Sequence, residues 1–266
     1  METEIEKKSN IIKTVFYVLC SLLLVFMTYY AVMSVLGPGR KIAEINNEYG
    51  YKVPENSKTD ERIFSDSVFK SINREKSFYQ ARVLMAESDS ICLALNLSDS
   101  TAVLEIEGVS VHKAKISEIT VSKVFRKANE YSVTSMLATP FAIMNDYSTI
   151  RKEPVMIKMA PKDTSEYKPD ILPDTTNSEA VNYIFEMSNG TRLYVYQNLE
   201  ENKGDKLNRF KFDLNDKLRN FKHNLKSIID LKVSEYHPSI RIYLAKADAK
   251  IIYRALPKHG LISVFW

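Results

Sequence analysis

Residues 235–266 read EYHPSIRIYLAKADAKIIYRALPKHGLISVFW. They set His237 two positions ahead of Ser239, then an apolar strand, then a short helix that stops at Pro257, then a closing strand. Proline has no backbone N–H and cannot sit inside a helix without breaking its ladder. A histidine so near a hydroxyl allows two readings: the remains of a nucleophile site, or only the last strand and helix of a core. Both need a mixed α+β fold, with earlier strands for these to pair with.

Upstream, residues 205–230 place Leu207, Phe210, Leu214, Leu218, Phe221, Leu225 and Ile228 on one stripe of a long helix. Core packing is the expected role of that stripe, ahead of a partner-binding face. Residues 181–199 alternate in period two on either side of Ser188-Asn189-Gly190, the pattern of a hairpin. A matching alternation runs from Ser90, where Ile91, Leu93, Leu95 and Leu97 share one face. Turns at Ser98-Asp99-Ser100 and after Glu107 make it a three-strand meander. Strand-turn-strand is too common a unit for the two hairpins to imply an internal duplication.

Between the hairpins, residues 124–150 suggest one or two helices broken at Pro140, and 153–174 carry four prolines that exclude a central strand over most of their length. That connector is expected on the surface. Residues 61–86 set Phe64, Val68, Ile72, Tyr79 and Val83 at helical spacing, with Asp60 as the N-cap.

Thr14–Leu36 is an uncharged apolar run, long enough at about 1.5 Å per residue to cross a bilayer core. A cleaved signal peptide is the rival, but the run is too long for a typical h-region and no small-residue cleavage site follows. Lys7, Lys8 and Lys13 precede the run and only Arg40 and Lys41 follow it closely, which favours a cytoplasmic N-terminus. In a bacterium this makes an inner-membrane, single-pass protein with its bulk in the periplasm. The chain then divides into a tail at 1–13, an anchor at 14–36, a linker at 37–60, a helical segment at 61–88, and a mainly β domain with helical insertions at 89–266.

Lysine and arginine number 37 against 33 aspartate and glutamate, and they are scattered, so no nucleic-acid surface is expected. Cys20 sits in the apolar run and Cys92 far beyond it, which gives no disulfide framework and no zinc spacing. With only seven glycines and no glycine-rich loop joining a strand to a helix, a nucleotide cofactor is not expected either.

The closing stretch resembles the end of the L,D-transpeptidase catalytic domain, which finishes with His-Gly-Cys-Ile-Arg-Leu, an Asp-Ala-Lys-like helix carrying a tyrosine, Val/Leu-Pro, and a last strand. His237, Ile240, Arg241, Asp248, Ala249, Lys250, Tyr253, Leu256, Pro257 and Gly260 fall where that pattern wants them. The meander at 91–116 is similar to the strands that open such domains. The resemblance implies a peptidoglycan context. Two departures oppose catalysis: Ser239 stands at the nucleophilic cysteine, and Pro238 at the preceding glycine. A serine hydroxyl needs a strong, well-aimed base, and proline at 238 removes an oxyanion donor, a loss of about a hundredfold or more in rate.

The family's further histidine has its nearest counterpart in His223, on the polar side of the 205–230 helix. His112 and His259 have no partners at ligand spacing and are expected to be ordinary surface or half-buried side chains. The expectation is therefore a degenerate L,D-transpeptidase-like domain on a membrane anchor, with His237, Ser239 and Arg241 as a vestigial motif and no catalytic, cofactor or metal site. Its partners would be peptidoglycan or an envelope protein. An atypical enzyme using Ser239 and a structural subunit of an envelope complex are the alternatives.

Overall fold

The computed structural model describes residues 2–51, 66–152, 180–198, 203–230 and 232–266. Asp60, Phe64 and the proline-rich connector at 153–174 lie outside these. The fold is α+β around a nine-stranded mixed sheet. In chain order the elements are α1 (Glu2–Tyr49), α2 (Ser67–Ala86), β1 (Cys92–Asn96), β2 (Thr101–Ile106), β3 (Val109–Lys115), β4 (Glu118–Val121), α3 (Lys123–Lys127), α4 (Glu130–Leu137), β5 (Phe141–Ser148), β6 (Asn182–Met187), β7 (Arg192–Gln197), α5 (Lys203–Ile229), β8 (Ser239–Leu244), α6 (Lys246–Ala255) and β9 (Leu261–Phe265). The strands lie in the order β3-β2-β1-β9-β5-β6-β7-β8-β4.

The meander and the second hairpin form as the alternation requires. Glu107 and Gly108 both take positive φ, the backbone of a two-residue turn that matches strand twist, and Val109 pairs with Ile106 across it. Gly190 alone carries positive φ in the β6–β7 turn, and its N–H closes onto the Met187 carbonyl at 2.9 Å.

Two strands escape the sequence reading. β4 is four residues at the sheet edge. β5 begins right after Pro140, where a helix was expected to resume, and joins the sheet's halves: Phe141 and Ala142 pair with β9, and Ile143–Ser148 with β6. Its polar Asn145, Asp146 and Ser148 hid the strand pattern, since only partners across the sheet reward an extended backbone there.

The main core lies on one sheet face. Leu93, Leu95, Leu193, Val195, Ile240, Ile242 and Ile262 point into it, with Ala249, Ile252 and Tyr253 of α6 and Val133 and Met136 of α4. On the opposite face α2 packs over Cys92 and Ala94, and α5 over Tyr194 and Tyr196.

Residues 37–60 are not a loose tether as far as the described residues go. α1 continues through Gly37-Pro38-Gly39 to Tyr49, because its last turns have something to pack on. Ile45 is 2% exposed in the main core, Ile42 and Tyr49 border it, and Asn46 accepts the Asn129 N–H at 2.9 Å, completing the start of α4. Thr14–Leu36 lies in this helix, the one described helix long and apolar enough to cross a membrane.

Two helices turn their apolar stripes outward, α5 against the sequence reading. In α2, Val68, Ile72, Tyr79 and Val83 are exposed, while Ser77, Ala81 and Met85 are buried. Its N-cap is Asp66, which accepts the Val68 N–H at 2.7 Å. In α5, Leu207, Phe210, Leu214, Leu218 and Phe221 are exposed, and Asp205 and Asp216 are buried. Charged and polar residues join the inner contacts of both helices, beside Ala81 and Met85 in α2. Arg82 pairs with the buried Glu105 at 2.7 Å, and Arg74 and Lys70 hold Glu130 of α4.

Candidate functional site

Ser239 opens β8, between parallel β7 and antiparallel β4. Its carbonyl accepts the Ser122 N–H at 2.8 Å, and the Pro238 carbonyl accepts the Arg192 N–H at 2.8 Å. Side chains 239, 241 and 243 therefore share the sheet face with Arg192, Tyr194 and Tyr196, the face that α5 covers. Tyr243, Tyr194 and Tyr196 all pack in its cluster.

His237 is half-buried, and its Nδ1 donates to the Gly190 carbonyl at 3.0 Å. Since a carbonyl only accepts, Nδ1 carries the proton in the neutral ring. Burial and then the Arg192 guanidinium push its pKa below the ordinary histidine value, against the opposing pull of the Gly190 hydrogen bond and of Glu235 and Glu186. The imidazole is thus neutral near pH 7 and firmly seated.

The His237 Nδ1 is committed to the Gly190 carbonyl and does not reach Ser239. Among the described residues no hydrogen bond reaches the Ser239 hydroxyl. His223 is exposed on α5; only its backbone carbonyl bonds, to the Ser227 hydroxyl.

What surrounds Ser239 is a cleft of about 540 Å³. One wall is α1, at Val35, Pro38, Gly39 and Ile42; the other carries Ser122, Lys123, Lys127, Ser239 and Arg241. Among the described residues three cations line it and no carboxylate does, which makes it an acceptor for anionic groups. Lys123, Lys127 and Arg241 are all exposed. The Arg241 guanidinium lies 5.4 Å from the centre of the Tyr194 ring. Tyr236, bonded to the Ser122 hydroxyl at 2.9 Å, also lines it.

Beyond the cleft the face is roofed. Asp216 of α5 accepts from the Tyr194 hydroxyl at 3.0 Å and from Asn220 at 3.1 Å. Asp213 accepts from Tyr196 at 2.8 Å, Arg209 stacks over Tyr196 and Tyr243, and Asn220 accepts from Arg192. Burial first, and then Asp216, raises the Tyr194 phenol to about 12; burial and Asp213 raise Tyr196 further.

The other residues of the closing motif do structural work. Asp248 pairs with His112 at 3.1 Å, tying α6 to β3. The Tyr253 hydroxyl donates to Asp146 at 2.9 Å, with Lys152 over its ring at 5.1 Å. His259 bonds the Ile143 carbonyl at 3.3 Å. No group of three potential metal ligands occurs among the described residues.

Sequence reasoning missed Lys123, Lys127, Arg192 and the α1 wall. No linear signal marks them, because α3, β7 and α1 meet only through sheet order and helix packing. No family model, curated protein or solved structure matches this chain.

Proposed function

We propose that this chain is a membrane-anchored, non-catalytic envelope protein whose L,D-transpeptidase-like domain binds carboxylate-bearing peptidoglycan stem peptides in the cleft beside Ser239. α1 is the anchor and the sheet domain stands on the periplasmic side. The observation that carries the reading is the pairing of a basic cleft, carboxylate-free among the described residues, with a hydroxyl on which none of them places a base. Lys123, Lys127 and Arg241 supply charge for carboxylates. Pro238 supplies no donor for an oxyanion, and His237 is tied to Gly190. The order of residues from His237 to Gly260 supplies the link to peptidoglycan.

The test is co-sedimentation of the full chain, in mild detergent, with purified sacculi. Salt-sensitive retention is expected. Full recovery in the supernatant at low salt overturns the reading. The rival, an acyl transferase using Ser239, requires a covalent acyl adduct on that hydroxyl after incubation with stem peptides, seen as a mass increase on the peptide that contains it.

A further inference from the structure

The apolar stripe of α5 faces outward along a helix of 27 residues, about 40 Å at 1.5 Å per residue. Leu207, Phe210, Leu214, Leu218 and Phe221 are between 43% and 62% exposed, and Ile229 reaches 68%. A water-soluble surface does not carry such a line of large apolar side chains without a use for it.

Charge borders the stripe in a definite way. At 3.6 residues per turn, Lys206 and Lys217 fall along one edge and Lys211 and Lys222 along the other, all exposed. The three aspartates of α5 are turned to the sheet. Asp205 and Asp216 are buried, and Asp213 is held by Tyr196. The outward half of the helix therefore presents an apolar strip flanked by cations alone, which complements an anionic lipid surface, with lysine stems able to lie along the strip and place their ammonium groups among headgroups.

Position supplies the independent argument. Phe221 packs on Tyr30 of α1, ring centroids 5.8 Å apart. Tyr30 lies six residues inside the end of the apolar run at Leu36, a depth of about 9 Å at about 1.5 Å per residue. That falls in the 5–10 Å layer where the apolar face of an interfacial helix sits.

We infer that the outward face of α5 lies in the headgroup and upper acyl layer of the bilayer that α1 enters, so that the domain rests on an anionic membrane along this helix instead of standing off it. The inference uses the reading of α1 as a membrane span and is independent of what the cleft binds.

Native Cys20, exposed within the apolar run, and buried Cys92 make the experiment direct. The full chain is reconstituted into vesicles of phosphatidylcholine with a minority of phosphatidylglycerol, at protein densities too low for copies to meet. An environment-sensitive fluorophore is placed on Cys20, or on Leu214→Cys or Asp99→Cys in a Cys20→Ser background. Expected at position 214 are a blue-shifted emission, loss of emission with brominated acyl chains, and protection from aqueous iodide; position 99 should show the reverse.

Quenching by lipid at Cys20 with none at 214 overturns the inference and leaves the anchor standing. Quenching at neither overturns both. Shielding at 214 from iodide without lipid quenching assigns the face to protein and also overturns it. A Leu214→Cys chain carrying Lys211→Gln, Lys217→Gln and Lys222→Gln should lose the dependence of the blue shift on phosphatidylglycerol; unchanged dependence removes the electrostatic part.

Discussion

The Tyr194 hydroxyl, on the second strand of a hairpin, donates to Asp216 in the middle of α5 at 3.0 Å, and both residues are buried. This bond, with Arg219 and Asn220 on the same carboxylate, makes the polar side of α5 the packed one. Replacing Asp216 with alanine strips three donors of their acceptor. The expected loss is about 2 kcal/mol, since a buried donor left unpaired costs its desolvation. A chemical denaturation midpoint in detergent measures it, and an Asp216→Ala chain as stable as the parent would show the contact to be incidental.

The outward stripe predicts an unusual contrast. Leu214→Ser should leave stability in detergent within about 0.5 kcal/mol, as at other surface sites, although the residue sits at the centre of an amphipathic pattern. Ile242→Ala, at 0% exposure in β8, should cost about 2–5 kcal/mol. If both changes cost alike, α5 packs by its apolar side.

His237 predicts a pH dependence. Its folded pKa lies below the ordinary histidine value of 6.5, so the unfolded chain binds the proton more readily. Stability from this group is complete above pH 6.5 and falls as pH drops through that value toward the lower folded pKa. His237→Asn, which retains a donor for the Gly190 carbonyl, should flatten the slope of melting temperature against pH between 7 and 5. A slope equal to that of the parent assigns the dependence to other groups.

Gly190 combines a positive φ of 77° with a hydrogen bond from His237 to its carbonyl. Gly190→Ala should destabilise by about 1–2 kcal/mol, the cost of left-handed backbone for a residue with a Cβ. The added Cβ meets the imidazole Nδ1 only at 3.7 Å, an ordinary contact, so the loss should appear in stability with the histidine's titration unchanged by NMR.

In the cleft, Ser239→Ala should leave retention on sacculi unaltered, whereas Arg241→Glu with Lys127→Glu should lower it by about tenfold or more, since two of the three cleft cations reverse sign. Dependence on Ser239 with indifference to the two cations would favour the covalent alternative.

The residues that could be read in advance are those whose signal is local. The alternation through Leu93, Leu95 and Leu97, the turn at Gly190 and the helix ending before Pro257 each follow from side-chain period or backbone freedom over a few residues. β5 could not be read, because Asn145, Asp146 and Ser148 become strand only when β6 pairs with them. The site was half legible. His237, Ser239 and Arg241 share one short stretch, while Lys123 and Lys127 come from the two ends of α3 and Arg192 lies beside Ser239 on β7.

The amino-acid order by itself determined an apolar N-terminal helix, two hairpins, and a closing strand-helix-strand. Only the tertiary structure decided which side of α2 and α5 turns inward. Helical periodicity separates apolar from polar faces but carries no label for the core. Here buried tyrosines drew the aspartates of α5 in, and α2 turned in its small and flexible Ser77, Ala81 and Met85, with Arg82 reaching the buried Glu105. The same packing carried α1 past its glycine-proline-glycine triplet, because Ile45 found a core to enter.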